Sequence, residues 1–279
     1  MDAPLSTSLE RTYRYLRIGI AGTVVVIFVS VAVAVGTVGW LTSVSDYYFT
    51  PARNAFVGAL VAASLALVAL SGRGMERALL DAAALFAPLI AVVPTTLTPG
   101  AVPGVDVPCA DRCFPPAFEP DAANGVVTFL VIGGLTVAVA LVLAALRQVS
   151  LAAVGLSLVV AVVVLATVAL TWTLAPDAFL QHGHLVATVA FFALFAAVAV
   201  RNAFPRRGAP PALVFRVLYV AIAVGLVVVL IAYDALLPRT DDLGFPVVLV
   251  VEASALVLFF AFWVVQGIEK WNDADPTLV

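Results

Sequence analysis

The sequence predicts an all-α fold, a polytopic transmembrane helical bundle of about eight spans with both termini cytoplasmic, and three observations carry that prediction. Of the 279 residues, 63% are hydrophobic and 11% charged, with a mean hydropathy of +1.14. A soluble domain holds about 25% charged and roughly 45–50% apolar residues, so only a lipid bilayer can solvate the apolar excess here. Runs such as VVVIFVSVAVAVGTVGW and LSLVVAVVVLATVAL are continuously apolar, whereas the strands of a membrane barrel alternate. The arginines, finally, recur at alternate ends of the apolar segments. A net charge of −3 and a single lysine, Lys270, leave no basic face for nucleic acid.

Eight segments are long enough to cross a hydrocarbon core that needs about 20 residues of helix. They run at 18–41, 54–72, 78–97, 125–146, 151–174, 184–203, 213–233 and 246–267, and residues 1–279 form a single membrane domain. The first follows basic residues as a signal peptide would. Its apolar run from Ile18 to Leu41 is too long for an h-region of about 7–15 residues, and no small-residue cleavage site follows, so it is expected to be retained. Ahead of it, Leu9, Tyr13 and Leu16 share one helical face and Glu10, Arg14 and Arg17 another, the pattern of a short interfacial helix on anionic lipid; a frayed, charged tail is the alternative. The second segment opens on Thr50 as N-cap with Pro51 at the first helical position. In the third, Asp81 can reach Arg77 at one helical turn.

The outer loop, 98–124, is rich in proline and acidic residues and is expected to form a structured cap. Its Cys109 and Cys113 are the only cysteines, and a disulfide is expected on the oxidising side of the membrane. The sixth segment opens with the only two histidines, His182 and His184, and ends at PRRGAPP, residues 205–211. The eighth begins after Pro246 and carries Glu252 about 9 Å from its outer end. Glu252, Leu256, Phe259, Trp263 and Gln266 form one stripe, which should face the bundle interior. No inverted four-helix repeat is visible.

With the N-terminus inside, the cytoplasmic side receives Arg11, Arg14, Arg17, Arg73, Arg77, Arg147, Arg201, Arg206, Arg207, Arg216 and Lys270, and the outer side only Arg53, Arg112 and Arg239. That is a positive-inside pattern.

No P-loop, H-E-x-x-H or G-x-S-x-G motif is present, so the informative residues are polar ones at or within the membrane boundary. Arg53 and Asn54 lie in the first turn of the second helix, where a cation opposes the helix dipole and calls for an anionic partner. Asp46, Asp177, Asp234, Glu252 and a bound anion are the candidates. Tyr47, Tyr48 and Phe49 fit an aromatic belt at the interface, with tyrosines that line a site as the alternative. Asp46, Tyr48, Arg53, Asn54, His184 and Glu252 all map to the outer layer and form the candidate ligand site. No cofactor is expected. Zinc is the alternative, held by His182, His184 and Glu252 if Gly183 were extended, because helical residues two apart point away from each other.

The runs YYFTPARNAFVGAL, HLVATVAFF and VEASALVLFFAFWVVQGIEKW resemble a family of uncharacterised bacterial multi-pass membrane proteins. Those pair a YYxTPxRNxFVGxL helix opening with a later histidine-led helix and a glutamate in the last helix. The matching positions are Tyr47, Tyr48, Arg53, Asn54, His184 and Glu252. The resemblance implies a bacterial-type plasma membrane and no particular chemistry. The seven-helix membrane hydrolases that hold zinc with three histidines fit poorly, since their H-x-x-x-H pair is missing. The functional expectation is an outward-facing pocket that binds or transports a small polar or anionic ligand or a lipid headgroup, against an intramembrane metal-dependent hydrolase or a non-catalytic scaffold or sensor.

Overall fold

The computed structural model describes residues 7–72, 74–206, 210–236 and 246–272. Arg73, Arg207 and Arg239 of the charge count lie outside them, as does part of the 205–211 linker. The described chain is all-helical: α1 (Ser8–Val38), α2 (Arg53–Leu70), α3 (Gly74–Val92), α4 (Glu119–Ala145), α5 (Leu151–Leu174), α6 (Pro176–Ala203), α7 (Leu213–Leu236) and α8 (Val247–Glu269). Seven of these helices are long and apolar enough to cross a membrane. The other is α3, which carries Glu76, Arg77 and Asp81 in its first two turns, with Arg77 Nε 3.5 Å from Asp81.

Several boundaries differ from expectation, each for a local reason. The interfacial helix and the first span are one continuous helix. Thr7 and Glu10 form a reciprocal capping box that starts α1 at Ser8, satisfying two otherwise unpaired N–H groups. The helix stops at Gly39, whose φ of +80° suits a residue without Cβ. Thr50 is not the N-cap of α2: its Oγ1 accepts from the Ala52 N–H in a preceding turn, and Ala52 takes the cap position. α6 begins at Pro176, so His184 lies in its third turn instead of opening it. α3 ends at Val92, and the following segment pairs Leu97 with Cys113 through two backbone hydrogen bonds.

Six helices close a ring in the order α1, α2, α3, α6, α7, α8, with α8 packing back on α1 and touching α6 across the middle. The α4–α5 pair leans on α3 from outside and is mostly exposed. Gly125 of α4 lies so close to Val92 that an added Cβ would stand 2.6 Å from the valine Cβ. The expected α8 stripe faces inside the ring, with Phe259, Trp263 and Gln266 buried and Glu252 and Leu256 half-buried: Phe259 meets Phe191 and Phe195 of α6 and Trp263 meets Phe195, edge-on or tilted with centroids 4.5–6.0 Å apart, the geometry preferred by aromatic quadrupoles.

α1 and α8 run antiparallel. At one end Arg17 of α1 donates to Gln266 and to the Lys270 carbonyl of α8. At the other the Leu249 N–H donates to the Thr42 carbonyl at 2.9 Å. The first end gathers the arginines; the second carries the long loop, and is called the loop end below. There Cys109 and Cys113 are disulfide-bonded, and Arg112 between them ties the loop down. Its Nε donates to the Thr96 carbonyl at 2.9 Å and its own carbonyl accepts from Gln181 at 3.1 Å.

Candidate functional site

The site starts from the segment TSVSDYYF, which joins α1 to α2. It turns back into the bundle as a short 3-10 helix, Ser45–Phe49, all of it buried. Local hydrogen bonds shape it. Asp46 accepts from the Ser43 N–H at 3.0 Å and from the Thr42 hydroxyl, while its own N–H donates to Ser43 Oγ at 2.9 Å. Such side-chain to backbone bonds are what short polar residues use to stabilise turns. The Tyr47 hydroxyl donates to the Gly39 carbonyl and accepts from the Leu41 N–H. Asp46 is fully buried, and that burial pushes its carboxyl above the ordinary range, opposed by the Thr42 and Ser43 donors and by Arg112, whose guanidinium is 4.0 Å away.

This turn delivers Ser45 to two distant helices. The Ser45 N–H donates to Glu252 Oε2 of α8 at 2.9 Å, and Ser45 Oγ lies 3.2 Å from Oε1. On its other side Oγ lies 3.0 Å from Nε2 of His184 on α6, whose Nδ1 is 2.8 Å from the Val93 carbonyl. His184 and Ser45 are buried and Glu252 is half-buried. The proton inventory of this chain follows from its partners. A carbonyl only accepts, so Nδ1 carries a hydrogen. The two remaining contacts, Nε2 to Oγ and Oγ to Oε1, each need a hydrogen, and the serine supplies one. Satisfying both requires one further proton, on the glutamate or on Nε2. Shifting two hydrogens along the serine hydroxyl converts one arrangement into the other, so the chain can hold a proton and pass it between α8 and α6.

The other expected site residues divide. Arg53 does find an anionic partner, but it is Asp121 at the start of α4, at 2.8 Å, and none of Asp46, Asp177, Asp234 or Glu252. The guanidinium also lies over the rings of Tyr48, at 4.7 Å, and Phe118, at 5.6 Å, so Arg53 and Tyr48 clasp α2 to the loop and α4 away from Glu252. Asn54 is exposed, as are Asp177 and Asp234. Tyr47, Tyr48 and Phe49 are buried in the bundle end and do not form a belt at the interface. Gly183 is helical, so the histidines diverge as helical geometry requires. His182 is exposed in a groove between α3, α5 and α6, and the alternative zinc set of His182, His184 and Glu252 is not assembled. Among the described residues no group of three His, Cys, Asp or Glu could hold a metal ion.

Sequence reasoning missed Ser45, Arg112, Asp121 and Tyr233, the last of which lines a crevice with Glu252 and His184. The one available signal for Ser45 was a hydroxyl-rich turn, TSVS, at the same level as Glu252. Comparison of the chain with protein-family models, with curated proteins and with solved structures returned no match.

Proposed function

We propose that this integral membrane protein binds or carries a small polar ligand or lipid headgroup at its loop end, with binding linked to the proton on the Glu252–Ser45–His184 chain. The observation that supports this is the chain itself. An ionisable residue inside a span costs about 2.5–3.5 kcal/mol at the helix centre on insertion scales, and here a glutamate is joined to a histidine through one hydroxyl beside two crevices. The positive-inside pattern and the family resemblance extend the proposal: the arginine-rich end faces the cytoplasm of a bacterial-type cell, and the site opens outward.

Ser45 and His184 also have the spacing of a nucleophile and its base. Acyl transfer would need two N–H donors aimed at an oxyanion. Beside Ser45 these groups are engaged, its own N–H by Glu252 and that of Asp46 by Ser43, which favours the binding reading over hydrolysis.

The test is thermal unfolding of the purified protein against a panel of small polar solutes, inorganic and organic ions and short-chain lipids, at mildly acidic and mildly alkaline pH. At least one class should raise the Tm by several degrees, with a pH dependence that Glu252→Gln removes. A flat panel, or equal stabilisation in the glutamine variant, would overturn the proposal.

A further inference from the structure

Two crevices meet at Glu252. One lies between α6, α7 and α8, lined by the exposed Leu185 and Val189, the half-buried Leu230, and Thr188, Tyr233 and Glu252. The other lies inside the ring, lined by Phe56, Phe191, Phe192 and Phe259 together with Ser45 and Glu252. Their volumes are about 40 Å³ and about 50 Å³, each room for a few waters or a small ligand group. Thr188, Phe192 and Glu252 line both, so the carboxylate stands where the lateral and interior spaces meet.

Charge at this junction is one-sided. The groups near Glu252 are Asp46 beside Ser45, His184 on α6 and Tyr233 on α7, with Arg112 of the loop set against Asp46, while α1 presents Thr23, Val24 and Ile27. Among the described residues two carboxylates therefore stand near one guanidinium, and Arg112 is already bonded to the Thr96 carbonyl and set against Asp46. Arg53, the residue expected to receive an anion, is paired with Asp121. Among the described residues, an anion here would meet carboxylates with no uncommitted cation. A cation would meet a carboxylate and several phenyl rings, the residue types that recognise organic ammonium groups.

We infer that the ligand of this site is a lipophilic monovalent cation, an organic ammonium whose apolar body enters between α6 and α7 and whose charge replaces the proton held on the Glu252–Ser45–His184 chain. This rests on the proton-linked site proposed above and names its ligand class. The exchange balances: one positive charge enters, one proton leaves, and the chain is left as a glutamate anion beside a neutral histidine.

Benzyltrimethylammonium is a suitable probe because its charge does not titrate. It is added to the full-length protein in detergent by calorimetry, from mildly acidic to mildly alkaline pH, in two buffers of different ionisation enthalpy, with benzylsulfonate as its anionic counterpart. The expected result is saturable ammonium binding that tightens about tenfold per pH unit while the chain holds its proton, with about one proton released per cation. Glu252→Gln should abolish the proton release, and benzylsulfonate should not bind. Ammonium binding indifferent to pH in the unaltered protein, or benzylsulfonate binding of comparable strength, overturns the inference, and neither readout depends on a variant folding. Failure of the ammonium while other solutes still give Glu252-dependent stabilisation removes the cation class and leaves the site. Failure of both removes both.

Discussion

Replacing Ser45 with alanine is the sharpest perturbation of the polar chain, because it deletes one oxygen atom and leaves both charged partners in place. The hydroxyl makes contacts of 3.0 Å to His184 and 3.2 Å to Glu252, and the Ser45 N–H bond to Glu252 at 2.9 Å survives the substitution. Each buried polar atom left without its partner costs about 1–3 kcal/mol, and two are left here. Hydrogen bonds within membrane bundles average only about 0.6 kcal/mol, because the inserted unfolded chain finds other partners. The expected loss therefore lies between about 1 and 4 kcal/mol. At about 2–4 °C per kcal/mol for a chain of this size, a mid-range loss of 2 kcal/mol lowers the Tm by about 4–8 °C. Intrinsic tryptophan fluorescence during heating of the purified protein provides the assay, in a cycle with Glu252→Gln and the double variant. The two substitutions should be strongly non-additive, since they act on one contact. A shift of less than about 1 °C for Ser45→Ala, or strict additivity with Glu252→Gln, would refute the hydrogen-bonded chain.

Three further outcomes follow from the geometry. Arg53→Ala breaks a pair that is partly open to solvent, so its effect should be small, about 0–1 kcal/mol, and it should leave the pH dependence of ligand binding untouched; a loss of that dependence would return Arg53 to the site. Gly125→Ala places a methyl 2.6 Å from the Val92 Cβ, which a backbone-rooted atom cannot evade, so a destabilisation of about 1–3 kcal/mol is expected, and an unchanged melting curve would contradict the close α3–α4 approach. Burial holds the Asp46 carboxyl above its ordinary value of 3.8, so the folded protein keeps a proton there that the unfolded chain has released. Its contribution to stability is then fullest at or below the ordinary value and declines as pH rises through the raised one. Asp46→Asn should flatten that part of the stability profile, and an identical slope in both proteins would exclude Asp46 as its source.

The membrane class, the helix count and the inward face of α8 were legible in the sequence because each depends on neighbours along the chain. Apolar runs report the solvent, and a 3.6-residue period places Phe259, Trp263 and Gln266 on the side of Glu252. Alternation of the spans likewise puts Ser45, His184 and Glu252 at the same end, whatever the packing. Partner choice was not legible. Ser45 meets His184 and Glu252 across sequence separations of 139 and 207 residues, and Arg53 meets Asp121 across 68, so these contacts depend on which helices adjoin in the ring and how each is rotated. Sequence put four acidic groups and a bound anion within reach of Arg53 only in the sense of shared depth. Packing decided that the arginine serves the loop and α4, and left Glu252 to a serine and a histidine. Depth in the membrane is a one-dimensional property that hydropathy encodes locally, whereas hydrogen bonds require atoms to coincide within about 3 Å in all three dimensions, which only the closed bundle can arrange.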